Sequence, residues 1–184
     1  MLVKDMLKQS LPLLLLCGLG GIIAGNTLGL MRSLFESIPG LIVVVPGIIA
    51  LRGSISTAFG SRLGSAYHLG VIDADNLWNE ELKQNILGSF FLSIFMSLVI
   101  GVLAYFSSFL LGVQPDVLKL MTVVMLAGVL SALILTSLTV SIVYLVFKRG
   151  LDPDNITGPA LTTFGDIVTM VCIFGSGLLV EVGL

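Results

Sequence analysis

Five long apolar segments dominate this sequence of 184 residues and leave little of it for anything else. A helix rises about 1.5 Å per residue, so about 20 apolar residues cross the hydrocarbon core of a bilayer. The predicted spans are helices over residues 11–31, 38–70, 86–111, 118–147 and 159–180. Since 56% of the residues are apolar and 11% are charged, a soluble domain with a polar surface is excluded. The sequence predicts an all-α integral membrane protein with five transmembrane helices, forming a single transmembrane domain over residues 1–184.

Charge and motif content exclude several classes of function. The net charge is −2 and the nine basic residues are scattered, so no basic stripe is present to follow a nucleic-acid backbone. No nucleophile elbow, phosphate loop or zinc signature is found, and an intramembrane aspartyl protease would need a second membrane-embedded aspartate. Cys17 and Cys172 lie in apolar runs and are interpreted as packing residues. We therefore expect neither an enzyme nor an organic cofactor nor a nucleic-acid partner, and the lipid bilayer is the expected environment.

Small residues are concentrated in the first two spans. Gly21 and Gly25 form a GxxxG pattern, which is typical of close helix packing in membranes. The stretch 52–70 is rich in Gly, Ser and Ala, a composition that lets helices approach closely or lines a wet cavity without bulky side chains. His68 lies in this stretch without a second His or Cys nearby, so we interpret it as an interfacial residue rather than a metal ligand.

The distribution of Lys and Arg predicts the orientation, because cytoplasmic loops of membrane proteins collect these residues. With the N-terminus inside, the cytoplasmic side receives Lys4, Lys8, Arg52, Arg62, Lys83, Lys148 and Arg149. The other side receives Arg32 and Lys119. This asymmetry predicts a multi-pass protein of the cell membrane with a cytoplasmic N-terminus and an outside C-terminus.

Asp166 is the one acidic residue well inside a predicted span. A carboxylate near the centre of a bilayer costs at least about 2.5 to 3.5 kcal/mol on insertion scales, so it must face protein, water or a cation. Thr162 lies one turn earlier on the same helical face, and Pro159 removes a backbone donor one further turn back. Carbonyl, hydroxyl and carboxylate oxygens are the hard ligands that Mg²⁺, Ca²⁺ and Mn²⁺ prefer. The structural alternatives are a protonated or Ser/Thr-bonded aspartate and a Pro159 that merely starts a helix.

Two segments of the sequence resemble one family of membrane proteins. The segment SLTVSIVYLVFKRGLDPDNITGPALTTFGDIVTM, residues 137–170, is similar to the MgtE magnesium transporters and, more closely, to their eukaryotic relatives in solute carrier family 41. The shared residues there are Asp152-Pro153-Asp154-Asn155, Pro159 and Gly165-Asp166. The segment LRGSISTAFGSRL, residues 51–63, resembles the second-helix motif of the family through Leu51-Arg52-Gly53 and Ser61-Arg62-Leu63.

The resemblance implies a fold and a site. In the family, two five-helix units form one pore, the aspartate that matches Asp166 binds a hydrated Mg²⁺, and the carbonyl that matches Thr162 faces the ion. The second helix of the family often carries an amide side chain near Ser54, where this sequence has a hydroxyl. The candidate metal contacts are Asp166, Thr162, Thr163 and Ser54.

Three further residues are candidates for the cytoplasmic mouth of the pore, namely Asp152, Asp154 and Arg52. We expect Arg52 and Arg62 to end the second span on the cytoplasmic side and to reach lipid headgroups or pair with these aspartates. Bacterial members carry a cytosolic sensor region with CBS domains before the first helix. Because this chain starts about ten residues before its first span, we expect no CBS or other soluble sensor domain.

The predicted function is transmembrane transport of divalent cations, with Mg²⁺ as the favoured transported ion. The pore is expected between two five-helix halves, as a homodimer or as a heterodimer with a sister half, with Asp166 at the ion site. One alternative is a carrier for another divalent cation that is coupled to H⁺ or Na⁺. Another is a non-transporting assembly partner, which the glycine-rich first helix would favour.

Overall fold

The computed structural model describes residues 3–72, 78–149 and 153–183, and the regular structure in these ranges is helical throughout. In chain order the helices are α1 (Val3–Leu30), α2 (Arg32–Ser37), α3 (Leu41–His68), α4 (Glu80–Leu110), α5 (Val117–Lys148) and α6 (Pro153–Gly183). All of them except the short α2 are long and apolar enough to cross a bilayer. The predicted all-α architecture with five transmembrane helices is confirmed.

Two of the long helices begin at polar capping residues. The side chain of Asn79 accepts a hydrogen bond from the Leu82 N–H at 2.9 Å, and two glutamates follow in the first turn of α4. Asp116 accepts from the Leu118 N–H at 2.9 Å and so starts α5. Such caps satisfy orphan backbone donors, and acidic residues there suit the helix dipole. Helix α4 therefore begins six residues before the start predicted at residue 86. The helix extends through the polar residues as far as the side chain that accepts a hydrogen bond from its free N–H groups.

Helix α6 begins at Pro153, so Pro159 lies inside the helix rather than at its start. A proline at the first helical position loses no intrahelical bond, because that N–H would be unpaired anyway. Pro159 has no N–H to donate to the carbonyl one turn back, so the first turns of α6 lack one helical hydrogen bond. The interpretation of Pro159 as an ordinary helix start is therefore wrong.

Helix α6 is the centre of the bundle. It packs against α1, α3 and α5, and it also contacts the short α2. In contrast, the contacts of α1 within the described ranges are with α6 and α2. Leu15 and Leu16 on α1 are about two-thirds exposed in the single chain, at 64% and 65%. Helix α1 is consequently a peripheral helix with a broad exposed apolar side.

The buried residues form two apolar clusters with a polar layer between them. The larger cluster includes Ile48 on α3 and Met170 on α6, and it lies towards the end of the bundle where α3 begins. The smaller cluster includes Phe59 and Leu63 and lies towards the other end. Between the two, the buried side chains include one arginine and several small polar residues, namely Arg52, Ser56, Ser89, Ser93, Ser97 and Ser131.

Glycines set the closest approaches of α6 to its neighbours. A side chain at Gly20 on α1 would collide with the methyl of Thr163, and one at Gly60 on α3 would come within 2.7 Å of Leu161 Cδ1. Gly21 and Gly25, which were expected to pack, have no described atom within 4 Å of an added Cβ. Small residues thus allow close packing as predicted for this class of protein, but on α1 the contact falls at Gly20.

The packing at Gly60 predicts a loss of stability for Gly60→Val. The added Cβ would meet Leu161 and, at 3.1 Å, the stiff side chain of Thr157. Overpacking of this kind costs about 1 to 3 kcal/mol of unfolding free energy. The measurement is thermal unfolding in detergent, and Gly88→Val is the matched control, because an added Cβ there meets no described atom within 4 Å. Equal melting temperatures for the two variants would contradict this packing.

Candidate functional site

Asp166 lies near the middle of α6, about 20 Å along the helix from Pro153. Its side chain is partly exposed on the surface of the single chain. Within the described part of the chain, the carboxylate makes no salt bridge and accepts no hydrogen bond from a Ser or Thr hydroxyl. The alternative of a Ser/Thr-bonded structural aspartate therefore has no support in the described contacts. The contacts do not bear on the other alternative, a protonated aspartate, and in either form the acid lies inside a predicted span without a protein partner among the described residues.

The two threonines before Asp166 point their hydroxyl protons into their own helix. The Thr162 hydroxyl donates to the Gly158 carbonyl at 3.0 Å, and the Thr163 hydroxyl donates to the Pro159 carbonyl at 3.0 Å. The lone pairs of both oxygens stay available to a cation or to the hydrogens of bound water. Thr162 is exposed, whereas the methyl of Thr163 packs against α1. The structure therefore places Thr162 on the open face of α6 and Thr163 at a helix contact.

Ser54 on α3 lies next to the point where α3 and α6 cross. A Cβ added at Gly53 would be 3.8 Å from the Thr162 methyl carbon, and one added at Gly165 would be 3.9 Å from the Gly53 Cα. The hydroxyl of Ser54 is exposed and donates to the Ala50 carbonyl at 2.9 Å. The crossing thus brings the backbone beside Ser54 close to the backbone beside Asp166. The oxygens presented here are the carboxylate and neutral hydroxyl or carbonyl groups.

A polar groove of about 310 Å³ runs between α3 and the first turns of α6. Its lining residues are small or hydroxyl-bearing apart from one imidazole: Thr57, Gly60, Ser61, Gly64, Ser65, His68, Thr157 and Gly158. For the stretch 52–70 the sequence left two roles open, close helix approach or the lining of a wet cavity; the second anticipated the α3 wall of this groove but did not single out its hydroxyls. The spacing of Thr57, Ser61 and Ser65, four residues apart, is the sequence signal that identifies them as one helix face. Thr157 carried no such signal.

Arg52 is not located at the mouth of a path, which corrects the predicted position. It lies near the middle of α3 and is 1% exposed, with its guanidinium directed between α4 and α5. A residue buried near the middle of a spanning helix does not contribute to the charge bias at the membrane surfaces, so Arg52 is not counted in predicting the orientation. Arg62 is exposed, lies within α3 as well, and donates to the Ser89 hydroxyl at 3.2 Å.

The other two predicted mouth residues fall at the edge of what the structure describes. Asp152 lies outside the described residues, and so does the side chain of Asp154. Among the described residues, no group of three or more His, Cys, Asp or Glu side chains converges as a metal cluster would. Each chain thus brings Asp166 and neutral oxygens to the α3–α6 face.

Comparison with known proteins places this arrangement in context. The family model MgtE, described as a divalent cation transporter, matches residues 45–176. The matched region covers most of α3 and α6, which carry the groove.

Relatives in animals match over nearly the whole chain. Solute carrier family 41 member 2 of Homo sapiens is 26% identical over 178 residues, which cover 91% of this chain and 30% of the human protein. The Xenopus laevis member 2 is also 26% identical over 178 residues, with 91% of this chain and 31% of that protein covered. Solute carrier family 41 member 3 of Rattus norvegicus is 29% identical over 166 residues, covering 85% of this chain and 35% of the rat protein. The chain spans about a third of the length of these relatives.

The positions of the two threonines predict different accessibility to water. In a background in which Cys17 and Cys172 are replaced by alanine, Thr162→Cys should react several-fold faster with a charged, water-soluble thiol reagent than Thr163→Cys. The reason is that Thr162 is exposed beside the groove, whereas Thr163 is covered by Gly20 of α1. The measurement is the rate of labelling in membrane vesicles that have been made permeable to the reagent.

Leu15→Cys provides the control for exposure to lipid rather than to water. Leu15 is 64% exposed on the single chain, yet the bilayer should keep the charged reagent away from it. If Thr162→Cys reacts no faster than Leu15→Cys, the open face of α6 meets lipid rather than a wet groove, and this assignment of the groove is wrong.

Proposed function

This chain belongs to the MgtE family of divalent cation transporters, and on that premise we propose that it forms part of a path for divalent cations across the membrane. Mg²⁺ is the favoured ion, and Asp166 is the side chain that holds it. One observation carries the proposal: the Asp166 carboxylate lies at membrane depth without a salt bridge or a hydroxyl partner among the described residues. Intramembrane acids in this situation mark ion or proton paths.

The composition of the groove suits an ion that keeps its water. Mg²⁺ dehydrates reluctantly and retains several waters, so it is bound through few direct protein ligands. Six waters at about 30 Å³ each occupy about 180 Å³, which fits within the groove of about 310 Å³. The hydroxyl oxygens along the groove are acceptors for the hydrogens of such waters. Asp166 does not line the groove; it lies about two turns beyond Gly158 on α6, where it would supply the negative charge next along the path. The path would then discriminate between hydrated ions rather than between bare ions.

A second five-helix unit is required to enclose the path. In one chain, Asp166 is partly exposed and both Thr162 and Ser54 are exposed, so the ion-facing surface is open on one side. A second copy or a sister half facing this surface would bring a second carboxylate to the ion and exclude lipid. If both halves carry the same excess of Lys and Arg on one side, the positive-inside rule orients both in the same way, so we expect the two halves to be parallel.

The proposed orientation has the N-terminus in the cytoplasm and the C-terminus outside. With Arg52 and Arg62 set aside because they lie well inside α3, the basic residues that remain lie near helix ends or between helices, five on one side and two on the other. The five are Lys4, Lys8, Lys83, Lys148 and Arg149. The bias still follows the positive-inside rule, and the proposed location is the cell membrane.

The ion role of Asp166 predicts that Asp166→Asn abolishes divalent cation flux. The amide keeps the size of the side chain and removes the charge that offsets confinement of the ion. Thr162→Ala should reduce flux less, because the backbone carbonyl remains. The measurement is Mg²⁺ uptake by liposomes that contain equal amounts of wild-type or variant protein and a Mg²⁺-sensitive dye.

Glu181→Gln is the matched control, since it removes an exposed carboxylate from the last turns of the same helix. It should leave uptake unchanged. Undiminished uptake by Asp166→Asn would remove this residue from the mechanism. If uptake by the wild type strictly requires a gradient of H⁺ or Na⁺, the protein is a coupled carrier rather than a pore.

The orientation predicts that two engineered cysteines react from opposite sides of the membrane. Glu80→Cys, at the start of α4, should be modified by an impermeant reagent from the cytoplasmic side, and Gln114→Cys, between α4 and α5, from the outside. Both positions are exposed in the chain. Modification of both from the same side would contradict the five-span topology.

A further inference from the structure

Arg52 is a fully buried cation in the polar layer between the two apolar clusters of the bundle. It is 1% exposed and lies near the middle of a transmembrane helix, far from either end. Within the described part of the chain, no carboxylate lies within 4.0 Å of its guanidinium. Its placement differs from the snorkelling that long basic side chains usually adopt in membranes.

Neutral acceptors on two neighbouring helices hold the guanidinium. Its Nη2 donates to the Gly128 carbonyl of α5 at 2.6 Å and to the Ser97 hydroxyl of α4 at 2.9 Å. It also lies 3.5 Å from the Ser93 carbonyl. The Ser97 hydroxyl donates its own proton to that same carbonyl at 2.7 Å, which orients its oxygen as an acceptor for Arg52. One side chain therefore ties α3 to both α4 and α5.

The Nε of Arg52 has no hydrogen-bond partner in the described structure. Arg52 also borders a small cavity of about 10 Å³, whose polar walls include Ser56 and Thr139. This is about the smallest space that holds one water. A single water there would give the guanidinium a further hydrogen-bond partner without supplying a counter-charge.

The presence of a charge at this point is not explained by stability. Burying an ion in a low-dielectric interior costs several kcal/mol, and well-packed apolar residues often replace buried charges with no loss or with a gain in stability. In some proteins a buried polar group instead fixes one arrangement of helices among several of similar energy, and this is the role considered for Arg52. The question is which arrangement Arg52 fixes.

Gly53, the residue after Arg52, lies where α3 crosses α6. Gly53 forms the crossing with Gly165 on α6, and Asp166 follows immediately. At this level of the bundle, one face of α3 contacts α4 and α5 through Arg52, and another face contacts α6 through Gly53. Gly128 is constrained by the same contact, since an added Cβ there would lie 3.2 Å from the Arg52 Nη2 and would collide with Ser97.

We propose that Arg52 is a positioning residue: it fixes α3 to α4 and to α5, on which α6 also packs, and thereby sets the position of α3 at the Gly53–Gly165 crossing and the spacing between Ser54 and Asp166. The inference rests on the proposed function of Asp166 as the ion site. Arg52 does not touch the ion. It acts by keeping the two walls of the site at a fixed separation.

The test is Mn²⁺ binding to purified protein in lipid nanodiscs, with free Mn²⁺ followed by its EPR signal. Arg52→Met keeps an apolar stem and removes the three contacts. It should unfold at the same or a higher temperature than the wild type yet bind Mn²⁺ about tenfold more weakly, within the range for residues that act on a site from a distance. Arg52→Lys, whose ammonium still reaches an acceptor on α4 or α5, should recover part of the affinity.

Arg62→Met is the matched control, because Arg62 also joins α3 to α4, through Ser89, but lies about two and a half turns from the crossing. It should leave Mn²⁺ binding unchanged. If Arg52→Met does not reach the membrane, Ser97→Ala decides the question: it removes one acceptor and should weaken binding about threefold. Affinities within twofold of the wild type for Arg52→Met, or for Ser97→Ala in its place, overturn the positioning role.

The outcome for the wild type separates this inference from the proposed function. If the wild type binds no Mn²⁺, or if Asp166→Asn binds Mn²⁺ as well as the wild type, the assignment of Asp166 as the ion site is wrong. The positioning role of Arg52, which depends on that site, is then wrong as well. If the wild type binds through Asp166 but Arg52→Met binds equally, only the role of Arg52 is wrong.

Discussion

The structure depends on one constraint: in the hydrocarbon region no water is available, so a polar group must find its partner within the protein. Serines on α4 meet this constraint locally, since Ser93 and Ser97 each donate to the carbonyl one turn back. Arg52 meets it by taking acceptors from two neighbouring helices. Some groups are not satisfied in this way in the described structure: the buried hydroxyls of Ser108, Thr157, Thr169 and Ser176, and Asp166. Its carboxylate is the acidic group for which the described helices of the span region supply no donor.

This constraint also separates the two charges of the bundle. If Arg52 paired with Asp166, the pair would be neutral and no cation would be attracted. The acceptors at Ser97 and Gly128 direct the guanidinium towards α4 and α5, away from the face on which α3 meets α6. In the proposed site, the carboxylate is therefore left unpaired by Arg52 and faces the open side of the chain, where an ion would bind. Helix α6 carries it at the centre of the bundle, where contacts with α1, α3 and α5 limit its movement.

Hydropathy was sufficient to predict the spans, because crossing a bilayer requires length and apolar character whatever the packing. Asp166 was predictable for the same reason, as a charge inside a span is expensive and visible in the sequence. Arg52 was misplaced because the charge rule assigns arginines to loops, whereas its acceptors are a backbone carbonyl and a hydroxyl brought together by folding. The contact at Gly20 was missed because a glycine pattern shows that packing is possible but not which face packs. Helix starts at Glu80 and Pro153 follow capping and proline geometry rather than hydropathy.

The most direct test of the central claim is an experimental map of the assembled protein in lipid with Mg²⁺, compared with one recorded after chelation. The account predicts ion density between two facing α3–α6 surfaces, about 4 to 5 Å from the Asp166 carboxylate oxygens, which is the distance for one intervening water. The density should disappear on chelation. Asp166 facing lipid or paired with a protein donor, with no ion density beside it, would contradict the account.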